Sequence, residues 1–488
     1  VLPYQTIIPL DRALDQPLYQ QVATGLAAEI RRGIIAVGTR LPGSRVLAER
    51  LGLNRQTIIA AYDELVAQGW LESRPRQGLF VAPRLPQQVP AAPVALPAYP
   101  VHPAFAFEPV PTVATQVLPA LPVLVFNDGF PDVRLAPLDV LTRAYRAIAR
   151  RPSSRQYLRY GSPQGSAHLR EALAADLRDT RGLAITAENI LITRGSQQSI
   201  FLTAHVLLRP GDAVIVGETN YFAATATFQH HGGRLLAVPV DAHGLDVDAV
   251  ERLCQQQPVR LLYVTPHHHH PTTVTLRADR RLKLLRLAAE YGFAILEDDY
   301  DFDFHYTGSP ILPLASADTA GSVIYVGSLG KTLMPALRVG YLVAPSALVQ
   351  AVTNVRRLID RQGDQVLEEA LAELYQSGEM SRHLRRAQRV YEGRRDRLCT
   401  LLREQLPTAL HFEQPSGGMA VWARFASEIN LNALSQKCLR NGLYLNDGSL
   451  YEWQKPNQNA TRLGFASLND TELHEAVAIL AHSLQSLW

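Results

Sequence analysis

Between residues 82 and 122 the chain carries eleven prolines and almost no charge. Proline fixes φ and removes a backbone donor, so such a stretch packs neither as helix nor as central strand. It reads as a semi-rigid extended linker, or as a long ordered arm laid on a domain; either way it separates two bodies. A length of 488 residues agrees, being too great for one ordinary domain. We therefore place an N-terminal domain at 1–81, a linker at 82–122 and a larger domain at 123–488, with a smaller C-terminal subdomain from about 376.

Composition sets limits on partners. Hydrophobic residues make up 47% of the chain, enough for sizeable cores. The net charge is only +3, so any nucleic-acid surface is local. Three cysteines, Cys254, Cys399 and Cys438, are few, odd in number and far apart. That argues against a disulfide framework and for a reducing compartment. No basic region precedes a long apolar run at the N-terminus, and no stretch of about 18 charge-free apolar residues occurs. The expectation is a cytoplasmic protein without a membrane span.

The first 81 residues read as three short helices and a hairpin. Leu18, Val22, Leu26 and Ile30 recur every four residues. Ser44 is placed as the cap of a second helix that stops at Gly52. Asn54 is placed as the cap of a third, with Ile58, Tyr62, Leu65 and Val66 inward. Two β-like runs follow, split by Arg74-Pro75-Arg76-Gln77-Gly78. Residues 31 to 58 hold six arginines and one acid, a patch suited to phosphates and guanine edges. Arg55, Gln56 and Thr57 open the third helix, where such a helix meets bases. Arg74 and Arg76 are placed at DNA backbone or minor groove. A solvated basic face on a protein-interaction domain is the other reading of this pattern. From about Pro17 to Val81 the sequence closely resembles the GntR-type winged helix-turn-helix domain. That resemblance implies DNA contacts by Arg45, Arg55 and Thr57, with Gly78 in the wing. Gly43 departs from it, standing where Ser or Thr is usual.

Beyond the linker, seven apolar runs alternate with helical patterns: 190–193, 213–216, 235–238, 261–264, 294–296, 323–326 and 341–343. They predict a seven-stranded, mostly parallel α/β sheet covered on both faces, followed by a smaller α+β part. Only four of 48 basic residues are lysines. One of them, Lys331, follows a buried strand, with Ser328 before it and Arg338 after it. A lysine in a partly dry site has a lowered pKa and forms Schiff bases. Its Gly-Lys-Thr context is not a phosphate-binding P-loop, because the glycine that motif needs is Tyr325. The run Phe293-Ala-Ile-Leu-Glu-Asp-Asp-Tyr-Asp ends a buried strand in acids. One such carboxylate can hold a pyridine nitrogen protonated; a helix cap or magnesium site is the alternative. The turn Thr193-Arg-Gly-Ser-Gln-Gln-Ser opens a helix whose first N–H groups suit a phosphate. Four consecutive histidines, His267 to His270, do not converge on one ion if the backbone is extended. No metal is expected; one or two of them are expected to line a pocket.

In order, these elements resemble fold-type I pyridoxal-phosphate enzymes of the class I aminotransferase group. The resemblance runs from about Phe126 onward and includes YGSPQG, ITRGSQQ, YVTPHHHHP, LEDDYDFDF, SLGKTLMPALRVGY and RLGFASL. With the GntR-like head, the whole chain resembles the MocR-type regulators. The resemblance implies pyridoxal 5'-phosphate as cofactor and a Schiff base at Lys331. It implies Asp298 on the pyridine nitrogen and Tyr300 on the ring oxygen. Ser196, Gln197, Ser328 and Arg338 are implied at the phosphate, Tyr160 at the phosphate of a second subunit, and Tyr221 stacked on the ring. Arg462 is implied to receive an effector's α-carboxylate. His270 replaces the asparagine that bonds the ring oxygen, and Gly330 replaces a common serine. Both departures fit binding better than fast turnover.

The function expected is ligand-gated transcription control. A homodimer, subunits head-to-tail, binds operator DNA and senses an amine, an amino acid or the cofactor itself. The alternative is a working aminotransferase carrying a DNA-binding domain.

Overall fold

In a computed structural model the chain divides into two compact units, Val1–Pro109 and Val110–Trp488. Residues 3–11, 14, 16–86, 101–107, 124–308, 311–451, 453 and 458–485 are described. Most of the proline-rich stretch lies outside them. Its described parts, 82–86 and 101–107, carry neither helix nor strand.

In the first unit, helices α1 (Leu18–Arg31), α2 (Ser44–Leu51) and α3 (Arg55–Ala67) precede strands β1 (Leu71–Arg74) and β2 (Gly78–Val81). The core joins Val22, Leu26 and Ile30 of α1 to Leu47, Ile58, Tyr62 and Leu65. Each such side chain, fully buried, contributes about 1.5–3 kcal/mol, and the four-residue spacing keeps them on one stripe. Two expectations need correction. Ser44 is the first residue of α2 and Gly43 is its cap, without a side-chain bond. The Ser44 hydroxyl instead accepts from Arg55 Nε at 3.3 Å. Val66 is exposed, and Ala61 takes the inward position. The Asn54 cap forms as expected, accepting from the Gln56 N–H at 2.9 Å. The hairpin has a third member: Gly38 and Leu41 donate backbone bonds to Val81 and Leu79, and Val81 donates to Thr39.

The second unit is built on seven strands: β3 (Ile190–Thr193), β4 (Ala213–Gly217), β5 (Arg234–Val238), β6 (Leu261–Val264), β7 (Ala294–Asp298), β8 (Val323–Ser328) and β9 (Gly340–Val343). Their order is β3-β9-β8-β7-β6-β4-β5. All pairings are parallel except those of β9 with its two neighbours. Continuous burial of β3, β4, β6 and β9 explains why these strands read as apolar runs rather than alternating ones. Six strands therefore point their carboxyl ends the same way, which is where parallel sheets hold ligands.

A smaller lobe follows. A long helix, Glu379–Gln405, packs with helices Leu431–Arg440 and Asp470–Gln485 around the antiparallel strands Leu410–His411, Ala420–Phe425 and Ala460–Gly464. Its core also takes in Phe126. The segment Leu124–Phe126 pairs in parallel with Leu443–Leu445, more than 300 positions away.

Candidate functional site

The carboxyl ends of β3, β6, β7 and β8 surround a cavity of about 320 Å³, within the usual range for small-molecule sites of about 300–1,000 Å³. Lys331 stands in its wall. Its Nζ donates to the Gly129 carbonyl at 2.8 Å and lies 4.4 Å from the centre of the Phe130 ring. Burial pulls its pKa down to about 8, against the opposing pull of Asp128. A fraction of the amine is thus neutral near neutral pH, which a nucleophile requires.

Asp298, the last residue of β7, lines the same cavity. Oδ2 accepts from the Tyr263 hydroxyl at 2.8 Å, while Oδ1 is buried without a partner. Burial pushes its pKa up to about 7. The other acids of the run do not line the cavity, and each has a partner elsewhere, although Asp301 Oδ2 is also buried without one. Asp299 Oδ1 lies 3.0 Å from His267 Nδ1 and Oδ2 accepts from Tyr325. Asp301 pairs with His268 at 2.8 Å, and Asp303 with Arg181 at 2.8 Å. This explains the histidine run. His267 and His268 balance acids, His269 pairs with Thr272, and only His270 reaches the cavity. Among the described residues no group of three or more His, Cys, Asp or Glu is placed to hold a metal.

At the other end of the cavity, Ser196 and Gln197 open the helix Ser196–Leu207, and Ser328 and Arg338 stand beside them. The first N–H groups of a helix have no intrahelical acceptor and attract anions. Gly195 precedes them at φ 86°, and a Cβ there would press on the Arg338 guanidinium at 3.3 Å. Arg338 itself donates to the Arg194 carbonyl at 2.9 Å. Tyr221 lies on the wall, edge-on to His270 with centroids 5.3 Å apart. Tyr300 also lines the cavity, but its hydroxyl donates to the His268 carbonyl at 2.8 Å. Tyr160 is 78% exposed, under the Arg361 guanidinium, and is not part of its own chain's cavity.

Arg462 departs from its expected role. It is 1% exposed and does not line the cavity; Asp128 does. Asp128 Oδ1 lies 2.9 Å from Arg462 Nε. The sequence reading missed Asp128 and Phe130, which sit at a bend after a three-residue strand, and Tyr451, which ends a three-residue 3-10 helix; such short segments show no periodicity.

The head presents a second candidate surface. Arg45, Arg55 and Gln56 are exposed at the starts of α2 and α3, and Thr57 is half-buried. The Arg55–Ser44 bond ties those two helix starts together. The rest of the basic patch leans on the head itself: Arg31 over Trp70, Arg32 on Glu29, Arg50 over Tyr4, and Arg40 against Gly78. Arg74 bonds Glu72 Oε1 and covers Phe80, while Arg76 is exposed at the hairpin tip with φ 62°.

Residues 124–480 match the family described as aminotransferase class I and II, and residues 18–81 match the bacterial regulatory proteins of the gntR family. The probable rhizopine catabolism regulatory protein MocR of Rhizobium meliloti is 30% identical over 99% of this chain and 96% of its own length. The chain belongs to the MocR-type regulators. A second such relative, the HTH-type transcriptional regulator TauR of Rhodobacter capsulatus, is also 30% identical, over 97% of both chains. Solved structures resemble the aminotransferase part. The kynurenine aminotransferase of Pyrococcus horikoshii superposes with a TM-score of 0.70 at 26% identity, over 75% of this chain and 92% of that one. The α-aminoadipate aminotransferase LysN of Thermus thermophilus gives 0.70 at 28%, with the same coverage.

This MocR-type protein is a DNA-binding regulator that depends on pyridoxal phosphate. Its residues fit that cofactor: an amine of lowered pKa, an orphaned buried carboxylate oxygen, and a helix start beside an arginine occupy one cavity. Among its described residues no helix is long and apolar enough to cross a membrane.

The orphaned carboxylate has a cost in the cofactor-free regulator. The folded pKa of Asp298 lies near 7, above the unfolded value of about 3.9. Between those values the folded state binds more protons, so stability falls as pH rises and levels off above 7. Glu297, pushed up to about 8 by burial, adds a similar slope. Asp298→Asn removes the first contribution. Cofactor-free Asp298→Asn is expected to exceed wild type at pH 8 by on the order of 2 kcal/mol, and to match it at pH 4. Urea unfolding at the two pH values checks this; equal stability at pH 8 refutes it.

Proposed function

We propose that this regulator is a homodimer in the cytoplasm whose grip on operator DNA changes when a primary amine enters the cofactor cavity. The supporting observation is the origin of the cavity walls. Lys331, Asp298 and Ser196 come from the sheet unit, whereas Leu450 and Tyr451 come from the smaller lobe. A ligand touching both favours one lobe arrangement over others, which is what a shift in population requires. The proposed domain limits are 1–81 and 123–488, with 82–122 as the tether that carries the change.

Bound here, pyridoxal phosphate supplies an aldehyde that condenses with primary amines. The chain's residues hold and tune it. Lys331 would provide the amine, and Asp298, held through Oδ2 by Tyr263, would have Oδ1 free for the ring nitrogen. Ser196, Gln197, Ser328 and Arg338 would hold the phosphate, and Tyr160 would reach that of the second subunit. Tyr221 would pack against the ring, with His270 and Tyr300 on the wall beside it.

In the head, Arg45, Arg55, Gln56 and Thr57 meet the duplex, with Arg74 and Gly78 in the wing. Arg55→Ala is expected to weaken operator binding by about 1–3 kcal/mol, and loss of a phosphate contact lowers the salt slope by about 1. Fluorescence anisotropy across a salt series measures both. For the gating itself, operator affinity of the full chain is compared with cofactor alone and with cofactor plus amine. Sedimentation should give twice the 53.9 kDa of one chain. A shift in affinity of at least fivefold is expected; affinity indifferent to both additions defeats the proposal in favour of a passive scaffold.

A further inference from the structure

The resemblance assigns Arg462 to an effector's carboxylate, yet this chain already supplies a carboxylate there. Asp128 receives the Tyr451 hydroxyl on Oδ1 at 3.0 Å and pairs with His270 Nε2 through Oδ2 at 2.8 Å. Arg462 Nε lies 2.9 Å from Oδ1, and its Nη1 donates to the Pro271 carbonyl at 3.0 Å. Arg462 Nη2 lies beside Gly129, 3.1 Å from where a Cβ on that residue would stand, and the guanidinium also bonds the Tyr300 side chain. The guanidinium is therefore paired and buried, and the residue that lines the cavity in its place is Asp128, with its anionic oxygen pair. Three side chains from three parts of the fold hold that pair. The Asp128 carboxyl stays well below the usual carboxylate range, because His270 and Arg462 outweigh its burial. It is charged at any working pH.

We propose that Asp128 makes this an amine site: the effector is a primary amine whose nitrogen-bearing carbon carries no carboxylate. The inference rests on the reading above, that an amine at the cofactor is the signal. A second carboxylate beside Asp128 meets like charge with no uncompensated cation to receive it. A methylene or a hydroxyl at the same place meets neither obstacle, and a hydroxyl finds an acceptor in Asp128. Asp128 thus sets specificity, while Lys331 and the phosphate residues serve any amine. His270 in the place of asparagine belongs to the same arrangement, since its Nε2 bonds the acid.

The test uses matched pairs that differ by one carboxylate: 2-phenylethylamine and L-phenylalanine, 3-methylbutylamine and L-leucine, 1,5-diaminopentane and L-lysine. The full-length protein is loaded with pyridoxal phosphate, and the visible band of the bound cofactor is followed during titration. In wild type at least one amine should half-saturate at a concentration tenfold or more below its amino acid, with no pair reversed. Asp128→Ala should uncover Arg462 and move the ratio at least tenfold toward the amino acid. Asp128→Asn, which keeps the shape and removes the charge, should move it the same way if the alanine variant does not fold. An intact band with the amino acid preferred, with no response to any pair, or with a ratio unmoved in the variants overturns this inference alone. Absence of any band on loading overturns the cofactor reading beneath it.

Discussion

Lys331→Ala is expected to leave a folded protein that stays colourless after loading with pyridoxal phosphate and gel filtration. Of the other lysines, Lys283 and Lys437 do not line the cavity, and Lys455 lies outside the described residues. Among the described residues no other lysine lines the cavity, so borohydride treatment should fix no cofactor to the variant chain and one equivalent to wild type. The side chain is only half-buried by its own surface and its one hydrogen bond is to a carbonyl, so stability should change little. The wild-type amine also predicts a pH profile. With its pKa near 8, the rate of cofactor capture should rise with pH up to about 8 and then level. Arg462 lowers that pKa and Asp128 raises it. Neutralising Asp128 should therefore move the profile to lower pH. A retained band in Lys331→Ala, or a flat profile in wild type, contradicts this assignment.

Arg462→Leu should destabilise the second unit by about 3 kcal/mol or more, because it leaves a buried carboxylate without its cation. Asp128 keeps His270 and Tyr451, which places the loss toward the lower part of the usual range of about 3–5 kcal/mol. The double variant Asp128→Asn, Arg462→Leu removes the orphaned charge and should regain at least half of the loss. Such a cycle isolates the pair, since the two residues are in direct contact. Urea midpoints of wild type, both single variants and the double variant give the comparison. A double variant as unstable as Arg462→Leu assigns the loss to packing of the arginine stem rather than to charge.

Much of this architecture was legible because buried parallel strands are apolar on both faces. All seven runs of the large sheet correspond to strands, and Lys331 and Asp298, singled out from their position after such runs, both line one cavity. What escaped was set by distant partners. Leu124–Phe126 is too short to show a period, and its strand partner lies at 443–445. Asp128 sits at a bend, and its significance depends on Arg462, His270 and Tyr451, none of them near it in sequence. The Ser44 assignment failed for a local reason. Gly43 has the extended backbone of a cap, so the helix begins one residue later and the hydroxyl is released to Arg55. Val66 failed because the inward stripe of α3 runs through Ala61, Tyr62 and Leu65, leaving the next residue on the far side.

The pairing of Leu124–Phe126 with Leu443–Leu445 also governs the order in which the molecule can be made. On the ribosome, the helical head has nearly all its contacts within some 80 residues and can fold as it emerges. Phe126, destined for a fully buried place, must wait for translation of more than 300 further codons before its neighbours exist. Until then an apolar edge trails behind a finished DNA reader. Truncated chains ending before residue 443 should accordingly be chaperone clients, even though their heads are complete.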